Sequence, residues 1–284
     1  MITGMPRIAI AIDDFASAVA RFRDELGMPV LDISEESVPS LGAKLAMCVP
    51  PGGSNIELMC PADPQAPLSQ SLQRYLDRRG EGLFALMLEA PDPDAEAELL
   101  AGRGLDVLPK MKGAGGRDVH PRSTHGVLIR VYPVDSFQGK APAPRVDQPF
   151  PELSGIARVI VAVRDLDHAV DVYGRQLGME TEAPSLDRER GVRASICRPG
   201  SEGIIDLVSP ETTDRPFARS IADHLDRRPE GMYALALQSA APRTVCGALT
   251  ARGLDVRPAA DRPDVFEVTR ESAFGALLRI EPRA

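Results

Sequence analysis

Two sets of charged residues in this chain have the types and spacing to do chemistry together. The first is Arg7, Glu57 and Arg130; the second is Arg158, Asp206 and Arg279. Each set places one carboxylate between two arginines. A guanidinium keeps its proton and presents its donors as a flat fork, which suits a carboxylate or an enolate-like pair of oxygens. A carboxylate beside it can pass a proton to or from a substrate when burial brings its pKa toward neutrality. Arg7 and Arg130 would then hold an oxyanion, with Glu57 as acid or base. The same residues also read as buried ion networks in which Glu57 and Asp206 each neutralise two arginines. Both readings stand at this point.

These residues are positioned by a duplication. Arg103-Gly104-Leu105-Asp106-Val107 returns as Arg252-Gly253-Leu254-Asp255-Val256, and Asp77-Arg78-Arg79 as Asp226-Arg227-Arg228, each 149 residues later. Arg279 follows Arg130 by the same 149, whereas RFRDELGM at 21–28 meets VYGRQLGM at 172–179 after 151. A self-match of this length marks one domain written twice.

In the first half, residues 7–12 alternate, with Arg7, Ala9 and Ala11 on one face and Ile8, Ile10 and Ile12 on the other. That is a half-buried strand. Asp13 or Asp14 caps a helix with the apolar stripe Phe15, Val19, Phe22 and Leu26, and Gly27 stops it. Strands are predicted at 28–33, 44–49 and 55–59, then a short helix at 68–79. A second unit has a strand at 83–90, a helix opened by Pro91-Asp92-Pro93, and strands near 105–109 and 126–132. Its third strand is not located, and GAGGRD at 113–118 reads as a loop over the cavity.

The second half repeats the first with a strand at 158–163 and the stripe Leu166, Val170, Tyr173 and Leu177. Further strands fall near 194–198, 203–208, 232–238 and 276–281, with helices at 217–228 and 243–252. The expected fold class is α+β, built from four β-α-β-β-β units. Domains are expected at 1–136 and 154–284, joined by a Pro-rich linker at 137–153.

Strand parity gathers Arg7, Ala9, Ala11, Glu57, Met59, Ala85, Met87, Glu89, Arg130 and Tyr132 on one concave face. Glu89, Tyr132, Met59 and Met87 therefore join the candidates for binding substrate, as do Arg158, Asp206 and Arg279 in the second half. The alanines would leave room for a ligand, where a degenerate core would fill with Leu or Phe. The first half is favoured as the active one, since it keeps Glu89 where the second has Gln238.

Composition narrows the partners. A net charge of −8 over 284 residues argues against nucleic acid and anionic membranes. No apolar run approaches the roughly 20 residues that cross a bilayer. Cys48, Cys60, Cys197 and Cys246 form no CxxC pair, and the N-terminus lacks a basic stretch followed by a long apolar run. Reduced thiols and a cytoplasmic location are expected. The expected partner is an anionic small molecule; self-association, a homodimer included, stays open.

The segments IAIAIDDFASAVARFRDELGM, SNIELMCP, EGLFALMLEA and HPRSTHGVLIRV, with DLDHAVDVYGRQLGM opening a later unit, resemble the vicinal oxygen chelate superfamily. That group includes glyoxalase I, bleomycin-resistance proteins and extradiol dioxygenases; the first half is most similar to methylmalonyl-CoA epimerases. The resemblance implies tandem glyoxalase-like domains whose four βαβββ modules form two cupped mixed β-sheets. It also implies a divalent metal, held by one residue from each of four strands, that chelates two neighbouring substrate oxygens.

Carried over position by position, the metal places hold Arg7, Glu57, Ala85 and Arg130, then Arg158, Asp206, Ala234 and Arg279. Guanidinium cannot ligate a cation. His120, His125, His168 and His224 fall on predicted helices or beside a loop, so neither metal nor cofactor is expected. The expected function is metal-independent proton transfer, by an isomerase, epimerase or lyase, on a small organic acid or acyl-thioester. One alternative is a non-catalytic sequestration protein of the bleomycin-resistance type. Another is an extradiol-dioxygenase-like ring-cleavage enzyme, which the missing histidines disfavour.

Overall fold

The computed structural model describes residues 1–140, 142, 152–200 and 203–283. Alternating isoleucines put β1 (Gly4–Ala11) at the centre of the first sheet. In chain order there follow α1 (Phe15–Ala20), β2 (Val30–Asp32), α2 (Ser34–Leu41), β3 (Ala43–Cys48) and β4 (Asn55–Pro61). Next come α3 (Pro67–Arg79), β5 (Gly82–Ala90), α4 (Pro93–Gly102), β6 (Arg117–Val119) and β7 (Leu128–Pro133).

The second half runs β8 (Ile156–Ala162), α5 (Leu166–Asp171), β9 (Glu180–Thr181), β10 (Ser185–Asp187), β11 (Val192–Arg198) and β12 (Ile204–Pro210). It closes with α6 (Pro216–Arg227), β13 (Gly231–Ser239), α7 (Pro242–Ala251), β14 (Val256–Pro258), β15 (Phe266–Val268) and β16 (Leu278–Pro282).

The strand orders are β2-β3-β4-β1-β5-β7-β6 and β10-β11-β12-β8-β13-β16-β15-β14, with β9 beside β11. β1 runs parallel to β4 and antiparallel to β5, and β5 runs parallel to β7. β8, β12, β13 and β16 repeat that pattern. Both sheets are mixed, and the two modules of each half share a sheet within one chain.

Local chemistry explains the helix that follows each central strand. The Asp14 carboxylate accepts from the Ser17 N–H at 3.0 Å, and Asp165 does the same for His168 at 3.0 Å. These contacts satisfy orphan amides at the helix start. Each helix continues into one π-helical turn, Arg21–Glu25 and Val172–Gln176. Gly27 and Gly178 then take φ of +74° and +77°, which stops the helix at no steric cost.

One apolar cluster draws on both halves, joining Ile8, Ile10, Phe22 and Leu26 to Val159, Val161, Tyr173 and Leu177. Burying a side chain of this size contributes about 1.5–3 kcal/mol. The concave faces are covered separately. Leu68, Leu72 and Leu76 of α3 pack with Ala9, Ala11, Met59, Ala85 and Met87. Phe217, Ala218, Ile221 and Leu225 of α6 pack with Ile160, Ala162 and Ala234. The small residues thus make room for a helix, which corrects the expectation that they leave it for a ligand.

Other expectations are also corrected. The strand near 105–109 is a single bridge from Val107 to Val119, because Leu105 to Leu108 bond through turn and loop contacts instead. The unlocated strand is β6, and it begins inside GAGGRD, so that motif is not wholly a loop. The helix α2 was not predicted; its SEESVPSL sequence carries an internal Pro39 that masks the helical pattern. Of the linker expected at 137–153, residues 141 and 143–151 lie outside the described residues. Among the described residues no helix is long and apolar enough to cross a membrane.

Candidate functional site

The four middle strands of the first sheet assemble its polar cluster. Arg7 on β1 is level with Asn55 on β4 and Met87 on β5, and Met87 is level with Arg130 on β7. Glu57 stands one pleat further along β4, opposite Ala9. The Arg7 Nε donates to Glu57 Oε2 at 3.1 Å, and Nη1 donates to Ser136 Oγ at 3.2 Å. The guanidinium lies 4.6 Å from the centre of the Tyr132 ring. Arg7 and Glu57 are 6% and 4% exposed, so neither charge relies on water for its partner.

Arg130 is held differently. Its Nε and Nη2 donate to the two oxygens of Asp118 on β6, at 2.9 and 3.1 Å, as a planar fork. Burial opposes the Arg130 charge, but Tyr132 and Asp118 outweigh it and hold the guanidinium above its ordinary value. Burial in turn raises the Tyr132 phenol. The expectation that Glu57 neutralises both arginines is therefore corrected: Glu57 takes Arg7, and Asp118 takes Arg130. Glu89 stands opposite Tyr132, two residues beyond Met87 on the same face of β5. Met59 and Met87 are buried beneath α3.

The second sheet builds a denser version. Asp206 on β12 is fully buried, accepts from Arg190 Nη1 at 2.7 Å, and lies 3.7 Å from Arg158 Nη1. Arg158 also bonds Glu281 through Nη2. Arg190 turns its Nε to Asp187 at 2.7 Å. Arg279 spreads its fork over Asp261, at 2.8 Å to both oxygens, and over Glu267 at 2.6 Å. Burial raises Glu267 despite Arg279 beside it.

The structure thus brings Arg7 into contact with Glu57 and Tyr132, with Arg130 level with Arg7 on the far side of β5. Asp118, Arg190, Asp261 and Glu267 were missed by the sequence reading. A signal existed for two of them, since Asp118 and Glu267 occupy matching places in the repeat.

A divalent cation does not fit this donor set. At the four strand positions of each sheet, two are guanidiniums already bonded to carboxylates and one is alanine. Among the described residues no three His, Cys, Asp or Glu side chains gather as a metal site would require.

Two cupped mixed sheets, each built from two βαβββ modules with a polar cluster across its middle strands, define a tandem glyoxalase-type protein. The chain belongs to the Glyoxalase/Bleomycin resistance protein/Dioxygenase superfamily, whose family model matches residues 7–120 and 158–268. A mutant of 4-hydroxymandelate synthase from Streptomyces coelicolor superposes with a TM-score of 0.66 at 13% identity. That likeness covers 99% of this chain and 93% of the other, and bears on the fold alone. Methylmalonyl-CoA epimerase from Mycobacterium tuberculosis is 26% identical over 50% of this chain and 96% of its own, with a TM-score of 0.40. A stretch of 215 residues is 27% identical to Cadherin-22 of Homo sapiens; it covers 69% of this chain and 25% of that protein.

Proposed function

We propose that the first domain binds a small organic acid or acyl-thioester without a metal and moves a proton on it at Glu57. The observation that carries this reading is the buried 3.1 Å contact between Glu57 and Arg7. It sets a proton-transfer group beside a fixed cation, with Arg130 level with Arg7 two strands away. Abstraction of a proton next to a carbonyl leaves an enolate-like oxygen, and a desolvated guanidinium stabilises such an oxygen well. The reaction class is then isomerisation, epimerisation or elimination. Ring cleavage of the extradiol type gains no support, because the donor set suits no divalent cation.

Four unpaired cysteines support a reducing, cytoplasmic setting for this activity. Burial pushes the Cys197 thiol up to about 12, which makes it a packing residue rather than a nucleophile. The proposed boundaries remain 1–136 and 154–284, around the linker at 137–153.

A second reading is sequestration without chemistry. It is favoured by α3 and α6, which fill the concave faces that would otherwise admit a substrate. Incubation in deuterated water with a panel of organic acids and acyl-thioesters separates the two. Proton transfer is expected to place deuterium beside the carbonyl of one compound, and Glu57→Gln to slow that exchange by about 10²–10⁴-fold. A compound that is retained but never labelled would overturn catalysis and leave sequestration.

A further inference from the structure

A cleft of about 740 Å³ lies between the two domains rather than inside either cup. Its volume is typical of a small-molecule site. The repeated tripeptides meet there: Arg78 and Arg79 end α3, Arg227 ends α6 with Arg228 just past it, and all four line the same cleft. Arg74 and Arg270 join them.

The duplication brings these elements together through backbone contact. Gly126 and Gly275, at φ of +78° and +77°, abut the Glu230 and Glu81 carbonyls of the opposite half. A Cβ at either glycine would lie 1.8 or 1.9 Å from that carbonyl oxygen. Only glycine satisfies both the conformation and the contact.

None of the six arginines has a carboxylate partner among the described residues. Five of the six are exposed, whereas the buried arginines Arg7, Arg130 and Arg279 are each bonded to an acid. Arg270 is half-buried, and its Nη1 and Nη2 donate to the Gly275 and Tyr233 carbonyls at 3.1 and 2.8 Å. Glu230, a carboxylate on the wall, is already bonded to His125 at 2.9 Å. Burial, then Arg270, Arg228 and Arg79, drive the His224 imidazole down to about 4. Tyr75, the counterpart of His224 in the repeat, feels the same three cations. Arginines near helix C-termini gain about 0.3–1 kcal/mol each from the helix dipole, but that does not explain why two helices aim theirs into one cleft.

We propose that this interdomain cleft binds a phosphorylated small molecule carrying a diphosphate or longer phosphate chain. Converging forks suit phosphate, whose compact oxygens accept from several arginines at once. Tyr75, Leu83, Phe84, Leu128 and Met232 on the walls would cover an organic group attached to it. The overall charge of −8 disfavours a nucleic acid and leaves a small anion as the ligand class. The proposal is independent of the chemistry assigned to Glu57.

The test is calorimetric titration of the full chain, at low ionic strength, with inorganic pyrophosphate, tripolyphosphate and citrate. Pyrophosphate and tripolyphosphate should bind with Kd below about 1 mM, and citrate at least about 10-fold more weakly. The double variant Arg79→Gln, Arg228→Gln should weaken the phosphates by about 100-fold, roughly tenfold for each lost charged contact. Without ligand the double variant should unfold at about the same denaturant concentration, since relief of repulsion among the arginines offsets the lost helix-dipole attraction. Kd above 1 mM, equal binding of citrate, or unchanged affinity in a folded double variant would each overturn the assignment.

Discussion

Arg279→Met is expected to lower the unfolding free energy by about 3–5 kcal/mol at pH 7, read from the midpoint of a urea titration. Arg279 is 3% exposed and bonds both Asp261, at 2.8 Å, and Glu267, at 2.6 Å. The methionine replaces the volume but removes the cation, so the buried Asp261 and the partly buried Glu267 carboxylates are left facing each other. An unpaired buried charge, not a lost attraction, is the main cost.

The pH dependence gives this prediction a sign. Burial already raises Glu267, Arg279 opposes that rise, and Asp261 adds to it. Removing Arg279 therefore raises the folded-state pKa further. A carboxyl with a raised folded pKa stabilises fully below its unfolded value near 4, and that contribution is lost as pH climbs through the folded value. The deficit of Arg279→Met should be smallest near pH 4.5 and grow toward pH 7. Adding Asp261→Asn and Glu267→Gln should recover most of it at pH 7. A deficit that is constant from pH 4.5 to 7 would show that lost packing, rather than charge, dominates.

Leu72→Ala is expected to cost about 2–5 kcal/mol, the range for truncating a buried leucine whose surroundings cannot collapse. Leu72 is fully buried in α3, in the cluster that holds Ala9, Ala11, Ala85 and Met87. The reverse change tests the same packing from the sheet side. Ala85→Leu adds volume beneath a helix already in contact and should cost about 1–3 kcal/mol. Were the cup an open cavity, Ala85→Leu would be neutral or stabilising and Leu72→Ala mild. Matching losses in both variants, measured by thermal denaturation, identify α3 as the filling of the cup.

The contrast between Asp14 and Asp118 shows how much was legible. Asp14 could be read as a helix cap from the residues beside it, because a cap bonds an amide three positions away. Asp118 could not be read as the partner of Arg130, because β6 first has to be laid beside β7. The alanine stripe was visible, but what lies over it depends on where α3 folds back.

The sequence by itself determined the duplication, the four modules, and the central strands with their alternating faces, on which the two arginine–carboxylate sets lie. Those features are written in self-similarity and in short periods of two and 3.6 residues, which need no knowledge of distant neighbours. Only the tertiary structure decided which acid neutralises which arginine, that helices fill both cups, and that Arg78, Arg79, Arg227 and Arg228 converge between the domains. Each of these depends on strand order, helix fold-back or domain docking: the ion pairs join residues 12 to 50 positions apart and the interdomain arginines lie 149 apart, separations that leave no local pattern to read.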